Sequence, residues 1–176
     1  MKKNIKIAIS GKSGCGNTTI SKNVAHRLGL NFINFTFRSL ALEKGKDLKE
    51  ILEMAAIDDS IDKELDMRQV QLAQESNGCV IGSRLAIWIL KEADLKVYLY
   101  ASDKTRAERI VNREGGDLES VAAFTAERDR QDNNRYKRIY NIDNDNYQFA
   151  DLIIDTDNLR PDEIEQIIID AAEKII

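Results

Sequence analysis

A chain of 176 residues, 43% hydrophobic and 32% charged, is long enough to bury roughly two-thirds of its surface in one core without covalent or metal staples. Two cysteines, Cys15 and Cys79, and a single histidine, His26, exclude a disulfide framework and a Cys/His zinc site. With 26 Lys+Arg against 30 Asp+Glu the net charge is −4, which excludes a broad nucleic-acid footprint, and apolar runs of at most six residues fall far short of the ~20 that a membrane helix needs. The start MKKN leads into a strand-length run rather than a signal segment. A cytoplasmic, monomeric protein is expected, with neither nucleic acid nor membrane as partner. Any anion it binds must be met by locally placed positive charge.

Five apolar runs bounded by turn residues predict short strands at residues 5–9, 32–35, 79–81, 95–100 and 152–154, mostly buried on both faces. Between them, residues such as Ile20, Val24 and Leu28, and later Ile164, Ile168 and Ile175, recur with helical period. Alternating strand and helix argues for one α/β domain whose parallel sheet carries helices on both faces. No repeat and no Pro-rich linker interrupts it; the sole proline, Pro161, sits near the start of the last helix. Two stretches break the rhythm: a long helical one at residues 36–77 and a polar, Arg-, Asp- and Asn-rich one at 115–147. Insertions there are where a nucleotide-handling fold carries its mobile parts.

The first strand runs through Ser10 into Gly11-Lys12-Ser13-Gly14-Cys15-Gly16-Asn17-Thr18-Thr19 and then directly into a helix. This has the outline of a phosphate-binding loop, in which glycines let successive N–H groups turn inward and the helix adds a partial positive charge. Thr18 stands where G-x-x-x-x-G-K-[ST] places its magnesium-binding hydroxyl, but the lysine of that motif is Asn17. An amide still donates hydrogen bonds, yet loss of a preorganised charged donor costs about 3 kcal/mol of transition-state stabilisation, roughly a hundredfold in rate. Lys12, in the same loop, is a candidate to restore that charge. Cys15, close to a helix N-terminus, is expected to have a lowered pKa and to be sensitive to oxidation. His26 is expected to cap or pack against the first helix.

Further segments join this loop: Phe37-Arg38-Ser39, Ile61-Asp62-Lys63-Glu64-Leu65-Asp66-Met67-Arg68-Gln69, Ser83-Arg84-Leu85, Arg106-Ala107-Glu108-Arg109, Glu127-Arg128-Asp129-Arg130-Gln131-Asp132 with Asn133-Asn134-Arg135-Tyr136, and Tyr140-Asn141-Ile142-Asp143. In this order and at this spacing the whole chain resembles the nucleoside monophosphate kinases, and within them the short, archaeal-type cytidylate kinases. The resemblance implies a P-loop core (residues 1–35, 78–114 and 148–176) with strand order 2-3-1-4-5. It further implies an acceptor-binding helical insertion at 36–77 and a lid at 115–147. The implied reaction moves the γ-phosphate of ATP, with Mg2+, to CMP or dCMP.

Site residues follow from the same resemblance. Gly11 to Thr19 would cradle ATP, with Thr18 on the metal. Arg38 and Arg84 would fork the monophosphate, a task suited to a planar guanidinium. Arg128, Asp132 and Arg135, at i, i+4 and i+7, share one helical face. In that reading Arg128, Arg135 and Lys12 are catalytic, while Asp132 lies near the acceptor sugar or orients an arginine; a surface ion-pair ladder is the competing account. Arg130 flanks the ATP base or is solvated. Cytosine presents acceptors beside a donor, and Asp62, Asp66 and Arg68 offer the complement, split between base and phosphate because Arg68 turns away from Asp66. Trp88, Tyr136 and Tyr140 are possible base-stacking rings, with Trp88 better placed in a core.

One further departure stands beside Asn17. The family's third strand ordinarily ends with an acid before Gly-Arg, whereas here Gly82-Ser83-Arg84 follows Ile81. Leu85 matches the short form of the family. Besides cytidylate kinase, the sequence is compatible with a kinase for another monophosphate or small hydroxyl compound and with a weakly catalytic nucleotide-binding module.

Overall fold

The computed structural model describes residues 4–175. Its single sheet has five parallel strands in the order β2-β3-β1-β4-β5, as expected. β1 (Lys6–Gly11) lies at the centre, with Ile7 opposite Val80 of β3 (Cys79–Gly82) on one side and Leu95 of β4 (Leu95–Tyr100) on the other. β2 (Asn31–Ile33) and β5 (Leu152–Asp155) form the edges. Burial on both faces holds for the central strands, in β4 as far as Leu99, but not for the edges. Asn31 is exposed on β2 and Ile153 is 44% exposed on β5, since an edge strand has only one neighbour to shelter it. β2 also stops at Ile33, short of the predicted residue 35.

Against one face lie α1 (Asn17–Leu28) and α8 (Pro161–Glu173), where Ile20, Val24, Ile164 and Ile168 meet Ile7, Ile9, Val97 and Leu99. Gly29, in the left-handed region, ends α1, and Pro161 opens α8, where its missing N–H leaves no bond unmade. His26 is exposed in the last turn of α1, where its carbonyl accepts from the Gly29 N–H, so it caps the helix through its backbone. The other face is covered by α5 (Ala86–Ile89) and part of α4 (Asp59–Glu75). Trp88 joins this layer, edge-on to Tyr98 and Phe149.

Residues 36–77 divide into α2 (Phe37–Lys44), α3 (Leu48–Ile57) and α4, each begun by its own cap: Thr36, Asp47 and Asp58. They enclose a small core of Phe35, Leu40, Ala41, Ile51 and Ile61, separate from those of the sheet. After β4 come α6 (Asp103–Glu114) and α7 (Leu118–Tyr140), packed on each other. Asn141, at φ 55, closes α7, and the buried Asn133 amide then donates to Asp143, Asn144 and Asp145, holding the following loop against the helix. Among the described residues no helix is long and apolar enough to cross a membrane.

Candidate active site

The loop after β1 has the backbone a phosphate cradle requires. Gly14 and Gly16 have φ of 86° and 83°, which side chains with a Cβ rarely adopt. A Cβ on Gly14 would also meet the Arg106 carbonyl at 2.8 Å, so the loop sits hard against α6. Two arginines of α6 hold it from outside: Arg106 donates to the Ser13 carbonyl (3.1 Å) and Arg109 to that of Gly14 (3.3 Å). Within the loop the Cys15 N–H donates to the Lys12 carbonyl at 3.1 Å. Arg106 is only 2% exposed and also binds Asp129 of α7 (2.6 Å) and Asp103 (2.8 Å). Arg109 is anchored on the hydroxyl and carbonyl of Thr156.

Cys15 is 3% exposed and belongs to the core cluster that holds Leu99 and Ala101 at the end of β4. Burial raises its thiol pKa, outweighing the nearby Arg106 and Arg109, so the expectation of an oxidation-sensitive thiolate is corrected. Burial likewise pushes the Cys79 thiol up to about 11.

A cavity of about 470 Å³ opens over the loop. Lys12, Asn17, Thr18 and Thr19 line its floor, Arg84, Arg128, Arg135 and Tyr136 one wall, and Asp62, Asp66 and Gln69 of α4 another. Asp132 organises the arginine wall. At 6% exposure, one of its oxygens takes Arg84 at 2.6 Å and the other Arg135 at 3.2 Å. It therefore orients two arginines at once, and the face predicted from the i, i+4, i+7 spacing is not a solvated ladder. Arg135 lies 3.7 Å from Asp62 as well, with its guanidinium 5.3 Å above the Tyr136 ring. The Arg128 pKa is lowered chiefly by the charge of Arg84, then by desolvation. Arg113, which the sequence did not single out, lines the same space.

On α4, burial raises the pKa of Asp62, and it pushes Asp66 up to about 6 against a hydrogen bond from the Tyr140 hydroxyl that works the other way. Tyr140 is thus a partner of Asp66, and Tyr136 alone of the two tyrosines lines the cavity. Arg68 lies outside the lining of this cavity, binding Glu43 (3.2 Å) above the Phe35 ring (5.9 Å). Arg38 is exposed on the first turn of α2, outside the cavity lining. Arg130 pairs with Glu127 at the surface. Lys12 reaches Asp145 at 2.6 Å. At Gly82, where an acid was missed, a Cβ would lie 2.5 Å from the Ser21 hydroxyl, so no side chain fits there. A larger cavity of about 1050 Å³ adjoins through Asp66, but Met67, Val70, Trp88, Ile89 and Ile142 make its wall largely apolar and no glycine loop borders it.

Comparison with known proteins gives a consistent result. Residues 6–158 match the cytidylate kinase-like family. The chain is 48% identical over 174 residues to the cytidylate kinase 2 of Borreliella afzelii, covering 97% of each. It is 40% identical over 169 residues to the cytidylate kinase of Pyrococcus horikoshii, covering 95% of this chain and 88% of that one. Among solved structures, a shikimate kinase from Acinetobacter baumannii superposes with a TM-score of 0.67 at 17% identity, over 98% of this chain and 95% of that one. At that identity the likeness is one of fold.

Proposed function

The chain belongs to the cytidylate kinase-like family, and on that premise we propose that it transfers the γ-phosphate of ATP to CMP in the cytoplasm, giving CDP and ADP. A phosphate oxygen of CMP forms the new bond to the γ-phosphorus while the bond to the β–γ bridging oxygen of ATP breaks. Such a transfer asks the protein for alignment and for charge on the equatorial oxygens rather than for covalent chemistry. The observation that carries the reading is the shared carboxylate of Asp132, which presents Arg84 and Arg135 on the wall of the cavity that the glycine loop floors.

In this reading the N–H groups of residues 14 and 16–18 take the donor phosphates while that of Cys15 stays on the Lys12 carbonyl, with Gly11, Lys12, Ser13, Gly14, Cys15, Gly16, Asn17, Thr18 and Thr19 forming the ATP site. Arg84 and Arg38 hold the acceptor phosphate. Because Arg38 stands outside the cavity, acceptor binding draws α2 inward. Asp62 and Asp66 read the base, and Arg68 positions α4 through Glu43. Arg128 and Arg135 offset charge in the transition state, and Lys12 joins them on leaving Asp145. Residues 36–77 act as the acceptor grip and 115–147 as the lid that excludes water. Mg2+ fits the donor set, because the exposed Thr18 hydroxyl beside phosphate oxygens and retained waters meets its preference, whereas no acidic cage is present among the described residues. When bound with ATP it would supply neutralisation of the phosphates, held on the protein side by Thr18.

The test is an ADP-release assay with CMP, dCMP, UMP and AMP as acceptors. The expected outcome is turnover preferring CMP, lowered roughly a hundredfold in Arg84→Ala and roughly tenfold in Lys12→Ala. Absence of turnover with every monophosphate, in a protein whose melting temperature still rises with ATP, would reject the kinase reading. Unchanged turnover in Lys12→Ala would remove Lys12 from the chemistry.

A further inference from the structure

Asn17, Ser21 and Gly82 form one unit at the floor of the site. Asn17 and Ser21 stand one turn apart on α1, and the Ser21 hydroxyl, 0% exposed, donates to Asn17 Oδ1 at 3.1 Å. The same hydroxyl occupies the space that a side chain at position 82 would need, since a Cβ there would lie 2.5 Å from Ser21 Oγ, 2.7 Å from Ser21 Cβ and 3.5 Å from Asn17 Oδ1. Glycine at 82 is therefore what admits the serine, and the serine is what meets the asparagine.

An asparagine amide has two unlike ends. Turned one way it offers a phosphate two N–H donors, and turned the other way a carbonyl oxygen that repels it. With Oδ1 committed to Ser21, Nδ2 has no acceptor among the described residues, and Asn17 lines the phosphate cavity. We propose that Ser21 is a positioning residue: through its hydroxyl it holds the Asn17 amide with Nδ2 toward the donor phosphates, in the seam that Gly82 leaves open. Two departures that look like separate losses are then one arrangement, a neutral donor of fixed orientation in place of a mobile cation. The inference rests on the reading of the loop as the ATP site.

The test is a double-mutant cycle of Asn17→Ala and Ser21→Ala, read as ATP affinity by calorimetry and as KM for ATP and for CMP. Asn17→Ala is expected to weaken ATP roughly thirtyfold, as for a lost donor to a charged group, and Ser21→Ala roughly fivefold, with KM for CMP within about twofold in both. In the Asn17→Ala background, Ser21→Ala is expected to change ATP affinity by less than about twofold. Effects that multiply, or a Ser21→Ala loss shared equally between ATP and CMP, would overturn the proposal, and a thermal melt of each variant separates that from loss of folding. If wild type binds ATP and the cycle holds while no monophosphate is phosphorylated, the kinase reading fails and this inference stands. If wild type binds no ATP, both fail.

Discussion

Asp66 is the residue whose ionisation the fold has altered to a stated degree. Burial holds its carboxyl at about 6, well above the 3.8 of an unfolded chain, although Tyr140 donates to it. A carboxyl with a raised pKa binds its proton more tightly in the folded state. Its contribution to stability is therefore whole below about pH 4 and is lost as pH rises through about 6. Replacing Asp66 with Asn removes that dependence. The difference in urea midpoint between Asp66→Asn and wild type is expected to grow in favour of the variant from pH 4 to 7. A constant difference would show that Asp66 titrates as it does in the unfolded chain. The sequence placed Asp66 on a helical stretch but carried no sign of its proton affinity, which burial raises and which Tyr140, 74 positions away in the chain, partly offsets.

At the scale of elements, α6 is the strut between the glycine loop and α7. Arg106 spans both, from the Ser13 carbonyl to Asp129, so a shift of α7 would pull on the glycine loop. Arg106→Met leaves Asp129 without its buried partner and is expected to destabilise the fold by about 3 kcal/mol, measured as a lower urea midpoint. Asp103→Ala should do little, because that carboxylate is 89% exposed and screened by water. Equal losses in the two variants would mean that the link to α7 contributes nothing. How much of this was legible follows from the distance over which each signal acts. The glycine loop and the face of Arg128, Asp132 and Arg135 are local patterns, fixed by helical period and strand-to-helix succession, and the structure brings them to one cavity. The Arg106 and Arg109 anchors, the Lys12 to Asp145 pair and the space between Ser21 and Gly82 join residues far apart in the chain. No periodicity records such pairings. Cys15 misled for a related reason: its place near a helix N-terminus was visible, whereas its direction into the core was not.

Over the whole molecule, positive charge is concentrated against a net charge of −4, and carboxylates already hold much of it: Asp132 takes Arg84 and Arg135, Asp129 takes Arg106 and Asp145 takes Lys12. If the cavity takes phosphates as proposed, Arg84, Arg135 and Lys12 would meet them by exchanging partners with carboxylates. The central place of β1 also governs how the chain is made. Both of its neighbours arrive late, since Lys6 faces Cys79 and Ile7 faces Leu95. Until those residues leave the ribosome, the strand that carries the glycine loop has two unpaired edges, and loop closure over so many residues is slow. A fragment of residues 1–78 holds the loop, α1 and the whole helical insertion, yet lacks both strands that β1 pairs with. It is expected to melt without cooperativity by circular dichroism and to show no ATP-dependent shift; a sharp two-state transition would contradict this. The loop translated first is thus expected to become structure only after residues 79–100 have been made, which would leave the nascent chain, rather than the finished one, exposed to aggregation and proteolysis.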